Sequence, residues 1–292
     1  MPPQPPIPGD SMSEATIDAA SAQRGPGQPE PWQLRLFSKT LKKQQKLALL
    51  LEQIGDTRGR RCLLITNGDN NGALNWHFRA HGGQWTWVEN EPDHIPEMEA
   101  LLGEKVLAGS YSRIPVDDAA FDVVVSIDVH EHLEDCTDFN RELLRVARPG
   151  GTVVVTTPNG DESKPVVRLK NAVGMTKEKY GHFVVGYQIP EHEKMLREVG
   201  LVPVSSGSYS KFFTELIELV LNYVFVMVLA RRKKVKAGVG EIAPTSSDQL
   251  KSMEKQVRLY SLVYPLLHAA SRLDVLDRSV GHAVSVVCRR PA

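Results

Sequence analysis

Five short apolar runs, RCLLIT (61–66), QWTWVE (84–89), KVLAG (105–109), FDVVVSID (121–128) and GTVVVTT (151–157), alternate with segments of helical length. A strand without polar alternation is buried on both faces, and such strands separated by helices build a parallel sheet with helices on either side. The alternation confines the chain to the doubly wound α/β class. Further on, EHEKMLREVG (191–200) is patterned as a helix stopping at Gly200, LVPVSSGSYS follows as a strand, and GHAVSVVCRR reads as the final sheet member.

Ahead of the sheet, Leu34, Phe37, Leu41, Leu47, Leu50, Leu51 and Ile54 recur at mostly helical spacing among lysines. This spacing predicts one amphipathic helix from Trp32 to Ile54, placed over a sheet edge or over a ligand crevice. Residues 1–30 are dense in Pro, Gly, Ser and Gln and lack the charged start and apolar stretch of a secretory signal, so they read as a disordered tail. The expected organisation is that tail, a core with its leading helix (31–208), a helical insertion (209–279) and a closing strand (280–292). Lys plus Arg and Asp plus Glu number 35 each, which leaves no general basic surface, and nucleic acid is not an expected partner. Cys62, Cys136 and Cys288 are scattered and odd in number, which argues against a disulfide framework or zinc ribbon and suits a reducing cytoplasm.

In an open parallel sheet, ligands collect beyond the carboxyl ends of the strands. After the first strand stands Gly68-Asp69-Asn70-Asn71-Gly72, a turn whose glycines allow close approach of a ligand to the backbone. Glu89 ends the second strand, where a carboxylate can accept from both hydroxyls of a ribose. Ser110 and Tyr111 follow the third strand as a small polar group and an aromatic suited to an adenine. Asp128 follows the fourth, leading into His130-Glu131-His132. Each alone has a plain structural reading as a turn, a strand-end acid or loop lining. The His-Glu-His triplet lacks the H-E-x-x-H spacing of a zinc helix, so no metal is expected there.

FDVVVSIDVHEHLED with ELLRVARPGGTVVVTTPN resembles the fourth strand, helix and fifth strand of class I S-adenosylmethionine-dependent methyltransferases, in particular the branch that includes quinone-biosynthesis enzymes. GHFVVGYQIPEHEKMLREVGLVPV is similar to that branch's segment in which a His and a Gly-Tyr pair precede a helix. The resemblance covers about 59–208 and the closing strand. It implies a Rossmann-like sheet of seven strands with the last reversed, and S-adenosylmethionine as cofactor, surrounded by Gly68, Asn70, Gly72, Glu89, Ser110, Tyr111 and Asp128. It also implies that the segment with His182 and Tyr187 lies over the acceptor pocket, and His130, His132 and His182 are the candidate bases for an acceptor that must lose a proton. Three positions depart from the family: Thr66 replaces the acid that opens its glycine motif, Asn70 replaces the middle glycine, and Ser110 stands where many relatives carry an Asp. Asparagine tolerates left-handed backbone angles, so the turn is expected to survive.

Residues 212–230, FFTELIELVLNYVFVMVLA, approach a membrane span in length and precede Arg231, Arg232, Lys233, Lys234 and Lys236. Lys211, Glu215, Glu218 and Asn222 align as a polar stripe, which favours a helix at the lipid interface or against protein over a spanning one. A second apolar segment, 259–276, is placed to pair with the first, and together they read as a cap, a dimer interface or a membrane contact. The expectation is thus a cytoplasmic enzyme, peripheral to the membrane through 212–236, that methylates a small or lipidic acceptor. Its rival is a non-catalytic methyltransferase-like scaffold. A nicotinamide dehydrogenase fits less well because G-x-G-x-x-G is missing.

Overall fold

A computed structural model of the chain describes residues 30–68, 70–223 and 247–292. The expected N-terminal tail and the basic run at 231–236 lie outside them. Seven strands form one sheet: β1 (Arg61–Thr66), β2 (Gln84–Glu89), β3 (Val106–Ala108), β4 (Phe121–Ile127), β5 (Ala147–Pro158), β6 (Val202–Tyr209) and β7 (Ala283–Arg289), in the order β3-β2-β1-β4-β5-β7-β6. β1 to β5 pair in parallel, whereas β7 runs antiparallel between β5 and β6. This is the seven-stranded, mostly parallel sheet with a reversed last strand that the sequence resemblance implies. Because the strand period is two, the unbroken apolar runs supply both faces at once. Cys62, Leu64, Val123 and Val125 enter the core on one side, and Leu63, Ile65 and Val124 enter the other.

The helices are α1 (Trp32–Phe37), α2 (Leu41–Ile54), α3 (Ala73–Ala80), α4 (Ile95–Leu102), α5 (Thr137–Val146), α6 (Pro165–Ala172), α7 (Ile189–Glu198), α8 (Phe212–Asn222) and α9 (Ser247–Ser271). The single leading helix expected from periodicity is two. Ser38 Oγ donates to the Arg35 carbonyl at 2.9 Å and Thr40 Oγ1 to the Leu36 carbonyl at 3.0 Å. These bonds turn the chain back on itself at 38–40 and leave α2 free to take its own direction across the ends of β5 and β6.

α8 and α9 pack together and against α2. The start of α8 is capped from downstream: Asp274 Oδ1 accepts from the Phe213 and Thr214 amides at 2.8 and 3.2 Å, and Asp277 Oδ2 from Phe212 at 3.1 Å. Two carboxylates at a helix N-terminus satisfy orphan donors and complement its dipole. The polar stripe of α8 turns inward rather than toward water. Glu215 is buried and paired with Lys42 of α2 at 3.2 Å and with Lys170 of α6, and it accepts from Ser210 Oγ. Burial opposes its ionisation, yet the two lysines outweigh that and hold its carboxyl well below the ordinary range. Among the described residues no helix is long and apolar enough to cross a membrane.

Candidate active site

The turn after β1 and the acid after β2 form one hydrogen-bonded unit. Thr66 and Glu89 are register partners, so their side chains meet on the same face at the carboxyl edge of the sheet. Glu89 Oε2 accepts from Thr66 Oγ1 at 2.7 Å, and Oε1 accepts from the Gly68 and Glu91 amides at 2.8 and 2.9 Å. Burial raises its pKa while the three donors pull it down, leaving it above the ordinary value.

Gly68 has φ +76 and Gly72 has φ +90, angles that L side chains rarely adopt. A Cβ on Gly72 would also come within 3.2 Å of the Met98 backbone, so α3 and α4 depend on that glycine to approach. Asn70 does not have the left-handed angle expected of it; among the described non-glycine residues only Ala119, Asp128 and Ser210 have positive φ. Its buried amide acts instead, with Nδ2 donating to Asn75 Oδ1 at 2.6 Å and Thr66 Oγ1 at 3.2 Å while Oδ1 accepts from the Gly72 amide at 3.0 Å. Tyr111 donates to Asn67 Oδ1 at 2.6 Å, and the exposed Ser110 pairs with Ser112. Between the ends of β2 and β3, Asn90 lies against Gly109, and neither amide atom of Asn90 has a partner among the described residues.

At the end of β4, Asp128 holds φ +51, a strained angle for a residue with a side chain. Thr156 Oγ1 donates to Asp128 Oδ1 at 2.8 Å, and Lys46 of α2, itself buried, pairs with the other oxygen. Although burial works against the charged form, Lys46 and Thr156 hold the Asp128 pKa below its usual value. Sequence reasoning missed Lys46, because a lysine on an amphipathic helix ordinarily faces water and nothing local marks this one.

The His-Glu-His triplet, a 3-10 turn, sends its two imidazoles in different directions. His130 is buried, with Nε2 on Asn140 Oδ1 at 2.7 Å and its ring edge against Phe139 and His192. His132 packs edge-on to His182, ring centroids 4.7 Å apart. Glu131 is buried beneath them, its carboxyl pushed well up by burial and by the charge of Asp128. Ligand atoms of Glu131, His132 and His182 all lie within 4.8 Å of one another, and a carboxylate with two imidazoles could hold a divalent cation. Tyr187 stands apart, its hydroxyl 3.5 Å from Cys136 Sγ and its ring beside His192.

Residues 68–155 match the family described as the methyltransferase domain. That stretch, under a third of the chain, is similar to methyltransferase domains. A probable S-adenosylmethionine-dependent methyltransferase of Mycolicibacterium smegmatis is 49% identical over 51 residues, 18% of this chain and 20% of that protein. Norajmaline N-methyltransferase of Rauvolfia serpentina is 36% identical over 101 residues, covering 30% of this chain and 35% of that protein. The phthiotriol/phenolphthiotriol dimycocerosates methyltransferase of Mycobacterium leprae is 29% identical over 96 residues, with 32% and 36% covered. The chain therefore spans well under half the length of these curated relatives. Among solved structures, phosphoethanolamine N-methyltransferase 2 of Haemonchus contortus superposes with a TM-score of 0.52 at 16% identity, over 85% of this chain and 52% of that one. An S-adenosylmethionine-dependent methyltransferase of Thermotoga maritima gives 0.51 at 12% identity, over 88% and 93%.

Gly68, Asn70, Gly72 and Glu89 are bonded or packed into one turn, and Tyr111 reaches it through Asn67. Asp128 follows β4, His132 packs on His182, and His130 and Tyr187 both pack on His192 of α7. Burial first of all lowers His130 and His182 to about 4, and lowers His132, so these imidazoles are neutral at neutral pH. Buried His192, neither of whose ring nitrogens has a partner among the described residues, is lowered further by burial and by His130.

In the unfolded chain the same groups titrate near 6.5, so their stabilisation is complete above that pH and is lost as pH falls toward 4. For His130 the expected loss between about pH 7 and about pH 5 is about 2 kcal/mol, measurable by urea unfolding. Replacing His192 by Leu is expected to stabilise the fold by about 1 kcal/mol at neutral pH and to flatten this acid limb.

Proposed function

We propose that the chain transfers a methyl group from S-adenosylmethionine to a small, amphiphilic acceptor. The observation that carries this reading is the bonding of the Gly68 amide and Thr66 hydroxyl to Glu89, which joins the turn after β1 and the acid after β2 in one cradle at the edge where the family signature falls. When bound, the cofactor supplies a methyl carbon on a positively charged sulfur. Gly68, Asn70 and Gly72 are the residues assigned to its amino-acid end, with Glu89 for the ribose hydroxyls and Ser110 and Tyr111 for the base. Asp128, with Lys46 beside it, closes the crevice from the β4 side. The unpartnered Asn90 amide supports the fit, since it offers both a donor and an acceptor where β2 and β3 end. Glu89 is 0% exposed, so taking up a ribose requires the turn at 67–71 to shift off its carboxylate.

Transfer of this kind needs alignment of the acceptor more than acid–base help. His132 and His182, packed edge-on to each other, are the residues assigned to take a proton from an acceptor that must lose one. The Mycobacterium leprae relative is named for dimycocerosate acceptors, and the apolar insertion supports a lipidic acceptor here and residence at a membrane surface. A second reading, a non-catalytic scaffold, is favoured by the closure of Glu89 and the inward bonding of Asn70. Titration calorimetry with S-adenosylhomocysteine, using NAD as control, decides between them. Heat with the nucleoside alone supports the enzyme, and no heat with either supports the scaffold. Transfer of label from methyl-labelled S-adenosylmethionine into a lipid extract is expected if the acceptor is lipidic.

A further inference from the structure

In the described part of the run at 212–230, α8 buries Thr214, Glu215, Leu219 and Asn222 and leaves its other apolar residues half-buried, save Val220, which is exposed. The row of exposed apolar residues lies instead on α9 and the turn that follows. Leu259, Leu262, Leu266 and Leu276 are 65, 78, 74 and 70% exposed, with Leu273 and Val275 also open to solvent. Residues 259, 262 and 266 are three and four apart and share one side of α9. The opposite side is held to the protein: Tyr260 donates to the Lys39 carbonyl, and Gln44 donates to the Tyr264 hydroxyl at 3.0 Å. The leucine row therefore projects from a fixed helix.

Charge identifies what covers this row. Between 250 and 280 the chain has five cations, Lys251, Lys255, Arg258, Arg272 and Arg278, all exposed. The three acids there are Glu254, Asp274 and Asp277, so the segment has a net charge of +2. A leucine row flanked by cations complements an anionic lipid surface, whereas a second copy would bring like charges together. The row ends on Leu276, which with Phe212 and Phe213 also lines a cavity of about 320 Å³. We infer that the 259–276 face seats the protein on an anionic bilayer, with Leu262 and Leu266 entering the acyl boundary and the neighbouring cations meeting the lipid phosphates. This rests on the membrane-surface part of the reading above and is independent of methyl transfer.

The test is flotation of the full chain with equimolar phosphatidylcholine and phosphatidylglycerol vesicles, compared with phosphatidylcholine alone. The wild type is expected to float with the anionic vesicles and not with the neutral ones. Leu262→Glu with Leu266→Glu should lower the partition coefficient by about tenfold or more, while melting as the wild type does, because both side chains are solvated in the folded protein. Val204→Glu, at an exposed apolar position on β6, should float as the wild type does. Failure of the wild type to float, equal flotation with neutral vesicles, or an unchanged double variant overturns the inference. A double variant that turns a dimer into a monomer, with no flotation of the wild type, also overturns it and gives the face to self-association. Calorimetry with S-adenosylhomocysteine on the same samples reads the methyltransferase proposal separately, since its failure would leave the flotation result unchanged.

Discussion

Replacing Glu89 by alanine is expected to lower the melting temperature by about 10 °C, from a loss of about 3 kcal/mol, and to abolish binding of S-adenosylhomocysteine. The stability loss arises because the Thr66 hydroxyl and the Gly68 and Glu91 amides all end on this carboxylate, so truncation strands three donors in a site closed to solvent. Glu89→Gln separates the structural role from the binding role. Its amide oxygen still accepts from the two backbone amides, and its NH2 group faces a hydroxyl that can rotate to accept. Glutamine should therefore stay within about 1 kcal/mol of the wild type, while losing one of the two acceptor oxygens proposed for the ribose and about tenfold or more in affinity. Differential scanning fluorimetry and titration calorimetry on the two variants read the roles independently. A glutamine variant that binds as tightly as the wild type would remove Glu89 from the cofactor site.

Glu215→Ala is expected to be the most destabilising change in the insertion, at about 3 to 5 kcal/mol. Lys42 and Lys170 converge on its buried carboxylate from α2 and α6, and Ser210 donates to it as well. Without the acid, two ammonium groups face each other across a space with little water, and the α8 contact with both helices is lost. Chemical denaturation should show the loss, and limited proteolysis should cut the 209–279 segment faster. The same linkage sets a pH dependence. Because the folded pKa of Glu215 is depressed, its stabilisation is complete above the ordinary carboxylate range and is lost as pH falls below it. The buried histidines lose their contribution at higher pH, so acid unfolding is expected to begin with them.

The strands were legible because their signal is local: an apolar run such as RCLLIT cannot be solvated on either face, whatever surrounds it. β1 and β2 fall on the expected residues, and β4 on all but the last of its run. Helix limits were less legible. The break at 38–40 depends on two hydroxyls bonding to the backbone, which hydrophobic periodicity does not register. At the site, spacing along the chain located Gly68, Gly72, Glu89 and Asp128 at strand ends. The bonds of the Asn70 amide to Thr66, Asn75 and Gly72 were not legible, because spacing along the chain does not register side-chain partners.

The order of apolar runs and turns thus determined the fold class, the parallel strands and the edge of the sheet where a ligand belongs, since each follows from the burial demanded by a few consecutive residues. Only the tertiary structure decided that Lys46 meets Asp128, that Glu215 faces two lysines, and that the open apolar face lies on 259–276 and not on 212–222. Those contacts join residues 45 to 173 positions apart, and which side of a helix or loop meets which neighbour is set by the packing of whole elements.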